Sequence, residues 1–192
     1  MKVVDLSDWN DHINWSHMID NGVEGMICKI SEGRTLSELH GKHISGAAAR
    51  GLKWGVYCFT HAQTTERAEE EAQVVMDALD SLGYGDPPLG IWLDVESPEV
   101  IGQLSQDVTA VCSAFISKCN AAGCSAGIYA SLSTLVNNIN VGDLADYVPY
   151  WCAQYSNACD FKGYFPDNSL YGWQFTDKYM IDNAPYDMSE WY

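Results

Sequence analysis

The sequence predicts an α/β fold: a single domain over residues 1–192, closed into an irregular TIM-like barrel of the form (β/α)5(β)3. Three observations predict it. Short apolar runs alternate with longer stretches of helical periodicity, the pattern of strands joined by helices. The runs number eight, enough to close a barrel. After the fifth run the spacing shortens, so the barrel is regular in its first half and irregular in its second.

The elements follow in order. Residues 2–6 form a first strand, and 14–21 a weak helix. Residues 25–30 are an apolar second strand, followed by a weak helix over 37–50. The third strand covers 54–60. The helix over 64–82 is the clearest: Thr65 is a candidate cap, acidic residues crowd the early turns, and Ala72, Val75, Met76 and Leu79 share one face. The fourth strand, 89–95, is apolar until it meets Asp94. A helix over 103–122 sets Val108, Val111, Cys112, Phe115 and Cys119 at helical spacing. A strand over 125–130 and a weak helix over 131–144 complete the regular half. Strands over 148–153, 170–175 and 184–188 have room only for loops or short turns between them, so antiparallel hairpins are expected there.

Composition narrows the function. A charged share of 19% with 47% hydrophobic residues marks a globular chain. Ten basic residues against 26 acidic ones, a net charge of −16, exclude nucleic-acid binding and argue against an anionic membrane surface. The start Met-Lys-Val-Val-Asp has no apolar stretch long enough for a signal peptide, so export by one is not expected. The seven cysteines are odd in number and contain no CxxC pair, the pattern of free thiols from a reducing compartment rather than of a zinc site. Seven tryptophans and eleven tyrosines suit a packed core and suit sugar binding equally.

Catalytic groups of such barrels come from the C-terminal strand ends. Those ends read Asp5-Leu6-Ser7-Asp8, Lys29-Ile30-Ser31-Glu32, Thr60-His61, Asp94-Val95-Glu96, Gln154-Tyr155 and Gln174-Phe175-Thr176-Asp177, and the last strand holds Asp187. One carboxylate at a strand end is usually a helix cap or surface group. Several on one rim raise one another's pKa and can keep an acid protonated. Strand alternation puts Asp94 and Glu96 on one face, which suits general acid catalysis with a partner carboxylate. A metal site or a structural ion pair remains the competing use of the same residues.

These pieces, taken in order, resemble the family 25 glycoside hydrolases, lysozymes of the N-acetylmuramidase type. The resemblance spans essentially the whole chain. It rests on Val4-Asp5-Leu6-Ser7, Ile13-Asn14-Trp15, Ile27-Cys28-Lys29-Ile30-Ser31-Glu32-Gly33 and Gly55-Val56-Tyr57-Cys58-Phe59. It continues through Trp92-Leu93-Asp94-Val95-Glu96, Gly127-Ile128-Tyr129, Trp151-Cys152-Ala153-Gln154-Tyr155, Trp173-Gln174-Phe175-Thr176 and Tyr186-Asp187-Met188. It implies hydrolysis of the β-1,4 bond between N-acetylmuramic acid and N-acetylglucosamine, with no metal or other cofactor. It assigns Glu96 as general acid and Asp94 as its helper, either orienting the substrate acetamido group or tuning Glu96. Asp5 and Asp187 complete an acidic cleft, with Tyr57, Tyr155, Trp173, Gln174, Lys29 and Glu32 as substrate-binding candidates. The partner it implies is bacterial peptidoglycan. A chain of this kind without a signal resembles a phage endolysin held in the host cytoplasm until release, often with a separate C-terminal wall-binding domain. Departures from the common pattern include Cys58 where a His is frequent, which leaves cleft polarity and substrate preference open. A carboxylate two residues from the acid favours substrate assistance by the N-acetyl group over inversion by an activated water. The rival readings are a glycan-binding barrel without catalysis, a metal-dependent hydrolase and a chitinase-like enzyme.

Overall fold

A computed structural model describes residues 1–192. The strands are β1 (Lys2–Leu6), β2 (Val23–Glu32), β3 (Thr35–Leu36), β4 (Lys53–Phe59), β5 (Ile91–Asp94), β6 (Ala126–Ser131), β7 (Pro149–Ala153), β8 (Ser169–Ile181) and β9 (Ala184–Trp191). The helices are α1 (Trp15–Asp20), α2 (His40–Ala48), α3 (Thr65–Ser81), α4 (Pro98–Ile101), α5 (Ser105–Ala121), α6 (Leu132–Asn137) and α7 (Phe161–Tyr164). Eight strands close a barrel in the order β1, β2, β4, β5, β6, β7, β8, β9, and β9 returns to β1. The two-residue β3 folds back on the end of β2 as a small flap.

The hairpins expected among the last three strands form only once. β7 pairs with β8 in parallel, and only β9 runs antiparallel to its neighbours β8 and β1. The segment 154–168 contains the single-turn α7 and is long enough for a parallel crossover, which needs about a dozen residues. β8 and β9 also run beyond the ranges read from sequence. They meet at Asp182-Asn183, whose φ values of 52° and 62° suit a two-residue turn matching the twist of a hairpin.

Smaller corrections concern the helices. Thr64, not Thr65, caps α3, its hydroxyl accepting from the Arg67 amide at 3.3 Å. The stretch 131–144 divides into α6 and a 3₁₀ turn, Val141–Asp143. A short α4 begins at Pro98, a residue suited to the first helical position. No helix is long and apolar enough to cross a membrane.

Alternation along the strands divides the apolar side chains into two cores. The larger lies between the barrel and its helices and includes Leu6, Cys28, Val56, Cys58, Leu93, Val95 and Ile128. The smaller fills the barrel: Val3, Ile27, Leu89, Trp92, Tyr129, Trp151, Ala153 and Trp191. Trp92, Trp151 and Trp191 plug the barrel at mid-height, with ring centroids 5.3–6.1 Å apart. Glycines make room for them. A β-carbon on Gly127 would stand 2.6 Å from the Trp92 ring and 2.5 Å from the Pro149 carbonyl oxygen. The indole N–H groups are satisfied inside: Trp92 donates to the Leu89 carbonyl at 2.7 Å and Trp151 to the Ser189 hydroxyl at 2.9 Å. Of the three, Trp151 also lines the cleft above, while Trp92 and Trp191 line a pocket at the opposite end of the barrel.

Candidate active site

The cleft opens at the C-terminal ends of the parallel strands. A cavity of about 200 Å³ is lined by Asp5, Ser7, Trp9, Lys29, Tyr57, Phe59, Asp94, Glu96, Tyr129, Trp151 and Asp187. A second lobe of about 170 Å³ shares Asp5, Ser7, Trp9, Tyr57 and Asp187 and reaches Pro185 and Tyr186. The four carboxylates singled out in the sequence, Asp5, Asp94, Glu96 and Asp187, therefore share one cleft, together with Lys29 and Tyr57.

Each acid is delivered by a strand. Asp5 and Asp187 are directly opposed in the β1–β9 ladder, so their side chains rise on the same face as neighbours. Asp94 ends β5. Glu96 lies two residues beyond it, but the Val95 amide still donates to the Tyr129 carbonyl at 2.9 Å, which prolongs the alternation. Val95 is consequently buried in the outer core while Asp94 and Glu96 both enter the cleft. Asp94 is 5% exposed, and its Oδ1 has no hydrogen-bond partner. Glu96 stands above it at the open mouth.

Burial and mutual repulsion act together on these groups. Burial, then the charges of Glu96 and Asp5, push Asp94 well above the usual carboxylate range, and Lys29 only partly opposes them. Burial and then Asp187 do the same to Asp5. The Asp187 carboxyl is raised by burial, although its hydrogen bond with Asp5 pulls the other way. Partial withdrawal from water, followed by the Asp187 charge, raises Glu96. A carboxyl raised in this way can hold a proton to donate. Burial and the charges of Asp5, Asp94 and Asp187 also raise the Tyr57 phenol, which stays a hydrogen-bond donor.

Gln174 organises the wall opposite. Its amide nitrogen donates to Asp5 Oδ2 at 3.0 Å, while its oxygen accepts from the Tyr129 hydroxyl at 2.9 Å and the Tyr155 hydroxyl at 3.1 Å. Gln174 is 1% exposed and stands behind the lining, whereas Tyr155 is 57% exposed and lies outside the cavity. Trp173 points the other way, its indole donating to the Gln154 carbonyl at 2.8 Å. Its neighbour Gln174 takes the inward place, because alternation along a strand gives only one of the two to the barrel. Glu32 lies outside the cavity at the rim, where it accepts from Lys29 at 2.6 Å. Cys58 faces the outer core, its thiol toward the Gly33 carbonyl at 3.8 Å and Glu71 at 4.0 Å, so it has no influence on cleft polarity. All seven cysteines are free thiols. No group of three or more His, Cys, Asp or Glu side chains is spaced to hold a metal ion.

Sequence reasoning did not single out Ser7, Trp9, Phe59, Tyr129 and Trp151. Ser7, Phe59, Tyr129 and Trp151 fall within the quoted motifs without having been assigned to the site. Trp9, 93% exposed, had no periodic signal because it sits in a loop.

Solved structures share this architecture. The modular autolysin LytC from Streptococcus pneumoniae, in complex with a synthetic peptidoglycan ligand, matches with a TM-score of 0.88 and 24% identity over 100% of this chain and 46% of its own. This chain thus spans about half the length of that autolysin. The catalytic domain of endolysin ply40, from a bacteriophage of Listeria monocytogenes, matches with a TM-score of 0.81 and 22% identity, covering 100% of this chain and 93% of that one. A family 25 lysozyme from Aspergillus fumigatus gives 0.75 and 20%, with the same coverage. Comparison with curated protein sequences finds no match. The family model for glycosyl hydrolases family 25 matches residues 4–184, which include the cleft carboxylates Asp5, Asp94 and Glu96, with Asp187 three residues beyond. With nearly the whole chain matched and the acids gathered at the barrel mouth, this protein belongs to the family 25 glycoside hydrolases.

Proposed function

We propose that the chain is a muramidase that hydrolyses the β-1,4 bond from N-acetylmuramic acid to N-acetylglucosamine in bacterial peptidoglycan. The observation that carries this reading is the buried, unpartnered Oδ1 of Asp94 in the same cavity as Glu96. A buried carboxylate oxygen without a donor costs about 1–3 kcal/mol, a deficit that a ligand N–H would relieve. The acetamido N–H of a 2-acetamido sugar is such a donor. Glu96, raised and at the mouth, protonates the leaving glycosidic oxygen.

With the acetamido group held by Asp94, its carbonyl oxygen attacks the anomeric carbon as the C–O bond breaks, giving a cyclic oxazolinium. Asp94 stabilises the positive charge. Glu96, now ionised, takes a proton from water, which opens the ring and restores the acid. The Asp5–Asp187 pair, across the barrel from Asp94, and Tyr57, on the strand beside it, hold sugar hydroxyls.

The test is mass spectrometry of muropeptides after digestion of purified cell walls, with NMR of the first product. A new reducing end on N-acetylmuramic acid with retained configuration is expected. A reducing end on N-acetylglucosamine contradicts the bond assignment, and an inverted first product contradicts the acetamido route.

Trp9 gives a second check on where the glycan lies. Its ring is a flat apolar surface standing free at the cleft rim, suited to stacking on a pyranose. Trp9→Ala should raise KM for soluble glycan about tenfold, the loss of one aromatic contact, with the melting temperature unchanged because the side chain touches little of the fold. An unaltered KM would remove Trp9 from the binding path.

A further inference from the structure

His61 lies at the rim between the cleft and a polar groove of about 730 Å³. Its two ring nitrogens face two carboxylates from different elements: Nδ1 is 2.5 Å from Glu99 on α4, and Nε2 is 3.2 Å from Glu32 on β2. Only the imidazolium, with a proton on each nitrogen, donates to both. Glu32 uses its other oxygen to accept from Lys29, which lines the cleft and sits 5.6 Å from the centre of the Phe59 ring. Glu99 is three residues past Glu96, in the first turn of α4.

That first turn is closed by the Val100 and Ile101 amides donating to the Ser97 carbonyl at 3.0 Å and by the buried Val100 side chain, but it lacks a side-chain cap. Its N-cap, Ser97, makes no side-chain capping bond, and its buried hydroxyl has no partner. α4 has four residues, too few for a helix to be stable by itself. Val95 N–H to Tyr129 anchors the segment before Glu96, and Asn138 donates to the Ile101 carbonyl at 2.9 Å at the far end. Between those points, the contact from Glu99 to His61 ties the acid-bearing segment to the β2–β4 rim.

We propose that His61 is a positioning residue: as a cation bridging Glu99 and Glu32, it holds the segment carrying Glu96, and Lys29 on the facing strand, at a constant separation across the cleft. This rests on the reading of Glu96 as the general acid. Around His61 stand Lys29 and Glu32 on β2, Glu99 on α4, and Glu71 and Arg67 on α3, with Asp8 and Arg34 across the groove. Burial disfavours the charged ring, but the hydrogen bonds to Glu99 and Glu32 outweigh it and hold the His61 pKa above the usual histidine value. The bridge is therefore intact in mildly acid solution. It is lost as pH rises through that raised value, when one nitrogen becomes an acceptor facing a carboxylate.

The experiment uses the whole chain as wild type, His61→Gln, Glu99→Gln, the double variant and His61→Arg, between pH 5 and 8. Amide hydrogen exchange at Val100, Ile101 and Gly102 reports the segment, and steady-state hydrolysis of soluble glycan reports the reaction. His61→Gln and Glu99→Gln should each speed exchange and lower kcat about tenfold, a modest part of what a 1 Å displacement near a reacting centre removes, with KM within about twofold. The double variant should be no worse than either single one. His61→Arg, which keeps a cation and two donors, should recover kcat to within about threefold and make exchange protection independent of pH. Unchanged exchange and kcat in His61→Gln would overturn the proposal, and so would failure of arginine to rescue. The exchange measurement needs no turnover, so it decides the bridge even if Glu96 proves not to be the acid.

Discussion

Glu96→Gln should lower hydrolysis of cell walls by about 10²–10⁴-fold, the contribution usually made by a positioned general acid. The replacement keeps the shape of the side chain and removes its transferable proton. Little else should change. Glu96 makes no hydrogen bond to the protein and lies at the open mouth, so the variant should unfold within about 0.5 kcal/mol of wild type. It should also ease ionisation of Asp94, because the Glu96 charge is the largest contribution after burial to holding Asp94 up. Turbidity clearance of walls measures the first effect, and denaturant unfolding the second. Clearance at the wild-type rate would defeat the assignment of the acid. A lost activity accompanied by a lost fold would be met by Glu96→Asp, which retains the carboxyl and should fold but donate from a displaced position.

Asp94→Asn should act in opposite directions on activity and stability. Activity should fall about a hundredfold, since a neutral amide cannot balance the charge of an oxazolinium. Stability should rise at neutral pH. Asp94 has a folded pKa raised well above its unfolded value of about 3.9. Below about pH 4 the carboxyl is protonated in both states, and wild type and variant should be equally stable. As pH climbs through the raised folded value, the unfolded chain sheds the proton first and wild type loses stability that the variant keeps. The difference should open above about pH 4 and level off once the folded carboxyl has ionised. Relieving a buried, unpartnered charged group by about 1–3 kcal/mol corresponds to a Tm gain of about 2–12 °C for a chain of this size. Thermal unfolding at pH 4 and pH 7 reads this out. An equal Tm difference at both values would mean that Asp94 is not held protonated by its surroundings.

The acids were legible in the sequence because strand ends and alternation are local properties. Asp5, Asp94, Glu96 and Asp187 each lie next to an apolar run whose direction can be read, and all four enter one cleft. The supporting residues were less legible. Trp173 and Gln174 are adjacent and both suit a sugar site, but only the register of β8 decides that Gln174 faces inward. Cys58 stands in a cleft-like motif, yet its strand turns it toward Glu71. Trp9 belongs to a loop with no periodicity, and His61 acquires its role only from carboxylates 29 and 38 residues away in sequence.

The sequence by itself determined the (β/α)5(β)3 barrel, the strand that delivers Asp94 and Glu96, and the net charge of −16. Apolar periodicity and charge balance are summed along the chain, so no neighbour in space is needed to read them. Only the tertiary structure decided that β7 and β8 run parallel, that Asp5 and Asp187 stand opposite each other, that Trp151 reaches the cleft, and that Asp94 is left with an oxygen without a donor. Those are facts of register and closure. They depend on which residues from distant strands arrive at one height in the barrel, and it is there, out of water and among like charges, that the carboxyl pKa values are raised.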